Sequence, residues 1–528
     1  MSHTYSEVWE LDSIFPGGSS SKAFKEHLQQ LKAMTINFTE KLQEFQTPDS
    51  ADQAATVSQL IEEAKEVILY IRQAGAFVSC LEAQDMTDKQ ANVLRGEITS
   101  LSAQFSTSFN ALQQKLAATD KAIWEKLLEN PKLKELEFVL TEWRKKAKDK
   151  LSEQEEALIA GLSVDGYHGW GQMYDTIIGS MQVPITIDGE EKVLSVGQAN
   201  NLASHSDPRV RKEIFKKLED AWEEKEELFA KTLNHLAGFR LSIYNKRGWD
   251  NVLKEPLEYN RMQPETLDAM WGAIAKNKQP FVDYLNRKAK MLGKEKMDWY
   301  DLQAPLSSDN ESLSYNDGAK FILKHFAKFG QEMTSFAKKA FEKAWIEAED
   351  RPGKRPGGFC TSLPLSEESR IFMTYDGSMS SVATLAHELG HAFHSHTLKS
   401  MHQLNRNYAM NVAETASTFA EAIVADATVK EANSSDQKIS LLEDKLQRSV
   451  AMFMNIHTRF LFETRFYEER KEGLVSASRL NELMSEAQQE AYGNALNTVH
   501  PRFWASKLHF YITGVPFYNF PYTFGYLF

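Results

Sequence analysis

His387-Glu388-Leu389-Gly390-His391 sets two imidazoles four residues apart with a carboxylate between them. The run Met379 to Ala386 ahead of it consists of good helix formers without proline, which predicts a continuous helix through the pentapeptide. Positions four apart stack on one helical face, so His387 and His391 can present ring nitrogens to a single metal ion. Glu388 then stands beside that ion, where a carboxylate can take a proton from an attacking water. Two histidines leave a zinc site short of a protein ligand. Glu414, 414 − 391 = 23 residues further on, lies in a second helical run from Asn411 to Glu421. The polar stretch Lys399 to Asn407 offers the reversal that brings this second helix back antiparallel to the first. Two histidines and a glutamate with a fourth position open are a catalytic rather than a structural zinc set, one ion per chain. Glu421, seven residues beyond Glu414 and on nearly the same face, either orients a ligating histidine or lies at the surface. His394 is expected to pack beside the ligands rather than join them, and His402 to lie in a loop.

Further residues extend the pattern: Ala392-Phe393-His394 after the pentapeptide, Glu414-Thr415-Ala416-Ser417 ahead of Glu421, the upstream Gly353-Lys354-Arg355-Pro356-Gly357-Gly358-Phe359, and the terminal His509-Phe510-Tyr511 with the tyrosines that follow. Together they resemble oligoendopeptidase F, within the wider family of thimet-type oligopeptidases. The resemblance implies zinc on His387, His391 and Glu414, Glu388 as catalytic base, and hydrolysis of internal bonds in short peptides. It also implies a two-lobed helical metallopeptidase with a deep substrate cleft or channel. A histidine followed by tyrosines is part of the same resemblance, so His509, Tyr518 and Tyr522 are expected to stabilise the oxyanion, with Tyr511 and Tyr526 as substitutes. Tyr518 and Tyr522 could share a helical face, although Pro521 between them restricts this to a first turn or an irregular segment. Members of the family generally continue beyond a Gly-Tyr-Leu-Phe stretch, so the chain ending at Phe528 is expected to be a truncated form. Two rival readings stand beside this one. An exopeptidase of the same zinc class would need a clamp for one peptide terminus, for which Lys354 or Arg355 could serve; a helical scaffold retaining a zinc core would need no Glu388.

Composition narrows the partners. A net charge of −12 argues against nucleic acid or an anionic membrane as the main partner. Only two cysteines occur, Cys80 and Cys360, so no disulfide framework is implied and both are expected to be inert thiols. The first residues lack a basic start with an apolar core, and no run approaches the roughly 20 apolar residues of a membrane span. The cytoplasm is the expected location.

The elements around the motif read as mainly α with a small β element. Helical periodicity runs from a serine-rich start at Ser19-Ser20-Ser21 to about Gln46, then from about Ala51 to Ala83 and from Lys89 to Leu116. Glycines cluster from Gly161 to Gly179 and suggest a domain seam, and Val183 to Leu194 carries the Asp188-Gly189 signature of a hairpin. The expected domains are therefore 1–200, helical and ending in that hairpin, and 201–528, catalytic. Asp207-Pro208 opens a new helix whose Trp222 and Glu223 to Glu227 segment is expected on a solvated face. Ile371-Phe372-Met373-Thr374-Tyr375, just before the histidine helix, is either a strand with an open edge for an extended peptide or a short core strand. The aromatic C-terminus, broken by Gly514, Pro516 and Pro521, is expected to be a loop feeding a helix.

Overall fold

Ser21 caps the first long helix, its side chain accepting from the Phe24 amide at 3.2 Å. From there α1 (Lys22–Glu44), α2 (Ala54–Gln84) and α3 (Lys89–Ala117) follow the predicted segments closely. The computed structural model describes residues 4–187, 190–306, 312–351, 353–355, 357–432 and 434–527. Among them the chain is mainly helical with a few small sheets. It divides into two compact units, Met1–Lys150 with Glu311–Tyr408 and Ala416–Val424, and Leu151–Asn310 with Ala409–Thr415 and Ala425–Phe528. The glycines between 161 and 179 lie within helices and a π-helical turn, Val164–His168, not in a linker. Tyr174 and Ile177 from this stretch enter the core of the second unit.

In the first unit α1 buries Phe24, Leu28, Leu31, Phe38 and Leu42 on one face, packing against α2 and α3. A three-stranded sheet follows, made of β1 (Ile346–Glu347), β2 (Phe359–Leu363) and β3 (Glu368–Phe372). Its order is β1-β3-β2, β3 pairing parallel with β1 and antiparallel with β2. The core-strand alternative for Ile371 and Phe372 is therefore the correct one: both are buried and both sides of β3 are paired, so the outer strands of the sheet are β1 and β2. The sheet leads into α4 (Met379–Thr397), capped by Ser378, whose side chain accepts from the Ser381 amide at 3.1 Å. After a short 3-10 turn, Gln403–Arg406, comes α5 (Met410–Glu431).

Helices α4 and α5 meet at Gly390. A Cβ there would lie 2.8 Å from the Ala416 carbonyl oxygen, 2.8 Å from Ala420 Cβ and 2.9 Å from Ser417 Cα. Two of those three atoms are backbone and cannot rotate away, so only glycine allows this approach.

In the second unit, Val183–Ile187 and Glu190–Leu194 form the antiparallel hairpin, its Asp188-Gly189 turn lying outside the described residues. Asp207 caps the helix Pro208–Lys246, with proline in its first turn as expected. Trp222 is not on a solvated face but buried to 1% exposure, packed 5.5 Å from Phe229. The apolar stripe of this helix faces inward there, and composition around one tryptophan does not reveal that.

Replacing Gly390 with alanine should destabilise the protein by about 1–3 kcal/mol, as overpacking against backbone does. Thermal unfolding of Gly390→Ala checks this; an unchanged midpoint would show that α4 and α5 can separate freely.

Candidate metal centre

On α4, His387 and His391 are one turn apart, and their rings lie 4.9 Å apart at 84°. On α5, Glu414, Ser417 and Glu421 fall at i, i+3 and i+7, one face of the helix. Ser417 is the residue against Gly390, so the glycine contact presses this face onto the histidine face of α4. One donor atom each from His387, His391 and Glu414 then lie within 4.8 Å of one another. Ligands around a tetrahedral zinc at about 2.1 Å stand roughly 3.5 Å apart, a difference that small side-chain rotations close. Glu421 Oε2 lies 3.2 Å from His387 Nδ1, which fixes that ring and leaves Nε2 for a metal. Burial first, then the neighbouring His387 and His394, hold the His391 pKa down to about 3, so its imidazole is neutral and its lone pair available. The donor set therefore fits a divalent ion of the zinc type.

Glu388 is buried at 7% exposure. Its Oε1 would be 3.7 Å from a Cβ on Gly358, the residue that leads into β2. Burial, and after it the Glu388 charge, push the Cys360 thiol well above its ordinary range; burial does the same to Cys80, which rises to about 12. Both cysteines are thus protonated at neutral pH, as expected. His394 packs against Tyr408, the ring centres 4.3 Å apart and tilted by 33°, and is not among the donors. His402 caps the short turn after α4, accepting from the Leu404 amide at 3.2 Å. Lys354 is unavailable as a clamp: its ammonium donates to the Glu349 carbonyl at 2.6 Å and the Met373 carbonyl at 2.9 Å, and it pairs with Glu347 at 3.2 Å. Arg355 remains exposed.

The aromatic C-terminus is the expected loop and helix, the helix running Phe520–Leu527 with Pro521 in its first turn. Tyr522 is on that helix but Tyr518 precedes it, so the two do not share a helical face. The loop brings them together instead, with ring centres 5.4 Å apart. His509 stacks on Tyr518 at 5.1 Å and lies 6.3 Å from Tyr522. The two substitutes are engaged elsewhere, Tyr511 fully buried and stacked on Tyr174 at 4.0 Å, and Tyr526 with its hydroxyl 3.0 Å from Ser449 Oγ.

Two features of this region escaped the sequence reading. Gly525 lets the C-terminal helix approach α5 closely, since a Cβ there would lie 2.7 Å from Glu414 Cβ and 2.9 Å from its carbonyl carbon. An isolated glycine in a helical run was the available signal. The second is a π-helical turn at Ala451–Asn455, where the Met452 carbonyl accepts from Thr523 Oγ1 at 2.6 Å and ties the C-terminal helix down. Burial first, then Tyr518 and the charge of Glu414, raise the Tyr522 pKa, so its hydroxyl keeps its proton. Burial first, then Arg459 and Lys507, lower His509 to about 4, which leaves it neutral at pH 7.

Comparison with known proteins gives the family and the fold. Residues 115–182 match the oligopeptidase F family model, and residues 201–526 match that of peptidase family M3. The oligoendopeptidase F homolog of Lactococcus lactis subsp. lactis (strain IL1403) is 25% identical over 531 residues, covering 98% of this chain and 86% of the relative. The group B oligopeptidase PepB of Streptococcus agalactiae serotype III (strain NEM316) is also 25% identical, over 90% of this chain and 80% of the relative. Among solved structures, one from Chlamydophila abortus superposes with a TM-score of 0.82 at 19% identity, covering 98% of this chain and 87% of that one. Oligoendopeptidase-F from Enterococcus faecium superposes with a TM-score of 0.68 at 19% identity, covering 96% and 86%. A mainly helical chain with paired histidine and glutamate helices, matched by the M3 model over 326 of its 528 residues, belongs to peptidase family M3 and is a peptidase.

Proposed function

We propose that the chain is a zinc endopeptidase acting on internal bonds of short peptides, with His387, His391 and Glu414 as the metal ligands and Glu388 as the base. The observation that carries this reading is the convergence of those three donors with Glu421 behind His387. Zinc, when bound, polarises the scissile carbonyl and makes water more acidic. Glu388 takes the proton from the attacking water and later delivers it to the leaving amine.

The developing oxyanion needs donors that are protonated at working pH. Tyr522 qualifies because its pKa is raised, and neutral His509 can donate one ring N–H. His509 Nδ1 is buried without a partner among the described residues, which leaves hydrogen-bonding capacity for a substrate. Tyr518, stacked on His509, is the third donor of the set. The contact of Gly525 with Glu414 supports this assignment, because it ties the helix bearing Tyr522 to a residue of the donor set. The exopeptidase reading loses Lys354, and the retained Glu388 argues against a scaffold without turnover. Short peptides as partners, rather than nucleic acid, fit the charge of −12. Among the described residues no helix is long and apolar enough to cross a membrane. The two free cysteines suit a reducing, cytoplasmic setting.

Glu388→Gln should keep about one zinc per chain while peptide turnover collapses, whereas Glu414→Ala should lose zinc. Metal analysis alongside peptide hydrolysis separates these outcomes, and full zinc content in Glu414→Ala would remove Glu414 from the ligands. Tyr518→Phe and Tyr522→Phe should each lower kcat by roughly 100-fold with metal still bound. Wild-type rates in both would take the oxyanion role away from these hydroxyls.

A further inference from the structure

The second unit contains a cavity of about 410 Å³ whose wall includes Trp299, Tyr492 and Phe503 together with two cations, Arg459 and Lys507. Both cations press on one ring: the Arg459 guanidinium lies 5.6 Å and the Lys507 ammonium 4.9 Å from the centre of Phe503. Arg459 Nε donates to Asn455 Oδ1 at 3.0 Å, which uses one of five guanidinium N–H groups. Among the described residues the Lys507 ammonium makes no hydrogen bond and neither cation has a carboxylate partner. The third cation at this wall is matched, Arg211 by Asp301 at 2.8 Å.

Two neighbouring like charges, half-buried and without a counter-charge among the described residues, disfavour the fold, and contact with one aromatic ring offsets only part of that. The strain shows in their titration. Burial, then Arg459, bring Lys507 down to about 8, and burial brings Arg459 down to about 10. An anion placed between them would remove both penalties, and a planar guanidinium beside an ammonium matches a carboxylate in shape and charge.

Lys507 is also close in the chain to the proposed oxyanion donors. Lys507 is two residues before His509, whose pKa both cations depress. Asn455, which orients Arg459, ends the π-helical turn that holds the C-terminal helix through Thr523. We propose that Arg459 and Lys507 form a carboxylate subsite for the peptide substrate, taking its C-terminal group or an acidic side chain. This inference rests on the reading of the chain as an enzyme of short peptides, where a terminal carboxylate is never far from the scissile bond.

The test measures binding rather than turnover, so it stands even if hydrolysis is not observed. Three probes are titrated calorimetrically into zinc-loaded Glu388→Gln protein: a short apolar peptide with a free C-terminus, the same peptide as its C-terminal amide, and that amide with one glutamate introduced. The expected result is roughly ten- to hundredfold tighter binding of one carboxylate-bearing peptide over the plain amide, the scale of a charge-assisted hydrogen bond. Preference for the free acid identifies the C-terminus, and preference for the glutamate peptide identifies a side chain. Adding Lys507→Met or Arg459→Gln should abolish the preference, and Lys507→Arg should retain it. Equal affinity for the three peptides, absence of binding, or a preference that survives both substitutions would overturn the subsite.

Discussion

The approach of α4 and α5 at Gly390 is the constraint on which the metal centre depends. Packed helices usually lie 8–10 Å apart, with side chains filling the space between them. Here the facing residues are glycine, Ala416, Ser417 and Ala420, so backbone meets near-backbone. That closeness is what lets short-reaching groups on the two helices, a histidine ring and a glutamate, meet at one point. Because Glu414, Ser417 and Glu421 recur on one face of α5, a single contact sets both a candidate ligand and the carboxylate that orients His387. Gly525 repeats the device on the C-terminal helix, against Glu414 itself.

The loop carrying Tyr518, between His509 and the helix of Tyr522, is positioned by buried polar groups rather than by regular structure. Glu463, buried at 4% exposure, accepts from Asn519 Nδ2 at 2.7 Å, and burial raises its pKa to about 8 despite the attraction of Arg240. Arg240 in turn donates to the Tyr167 hydroxyl, which donates to the Thr513 carbonyl at 2.9 Å. Phe517, next to Tyr518, adopts a left-handed backbone with φ of 53°, a conformation that costs a large side chain energy and is held by the network around it. Such an arrangement fixes Tyr518 through the loop that precedes the helix, where helical geometry could not.

What could be read from the sequence was what depends on near neighbours. The spacing of His387 and His391, the caps at Ser21 and Asp207 and the three N-terminal helices are local, and a period or a capping residue suffices to find them. Glu414 was reachable because a polar reversal and a second helical run lay at a workable distance. The expectations that failed turned on tertiary partners. Whether β3 has an open edge depends on β1 and β2, from elsewhere in the chain, and whether Trp222 is solvated depends on Phe229 and its neighbours. The unpaired state of Arg459 and Lys507 is likewise invisible in one dimension, since it is defined by carboxylates that are not nearby. That α5 contributes to both compact units is not visible in one dimension either.

X-ray absorption at the zinc edge on the metal-loaded protein tests the central claim most directly. The account predicts a shell of nitrogen and oxygen at about 2.0–2.1 Å, with the outer scattering of two imidazoles. Sulfur scattering near 2.3 Å, or the signature of a single imidazole, would contradict a centre built by His387, His391 and Glu414.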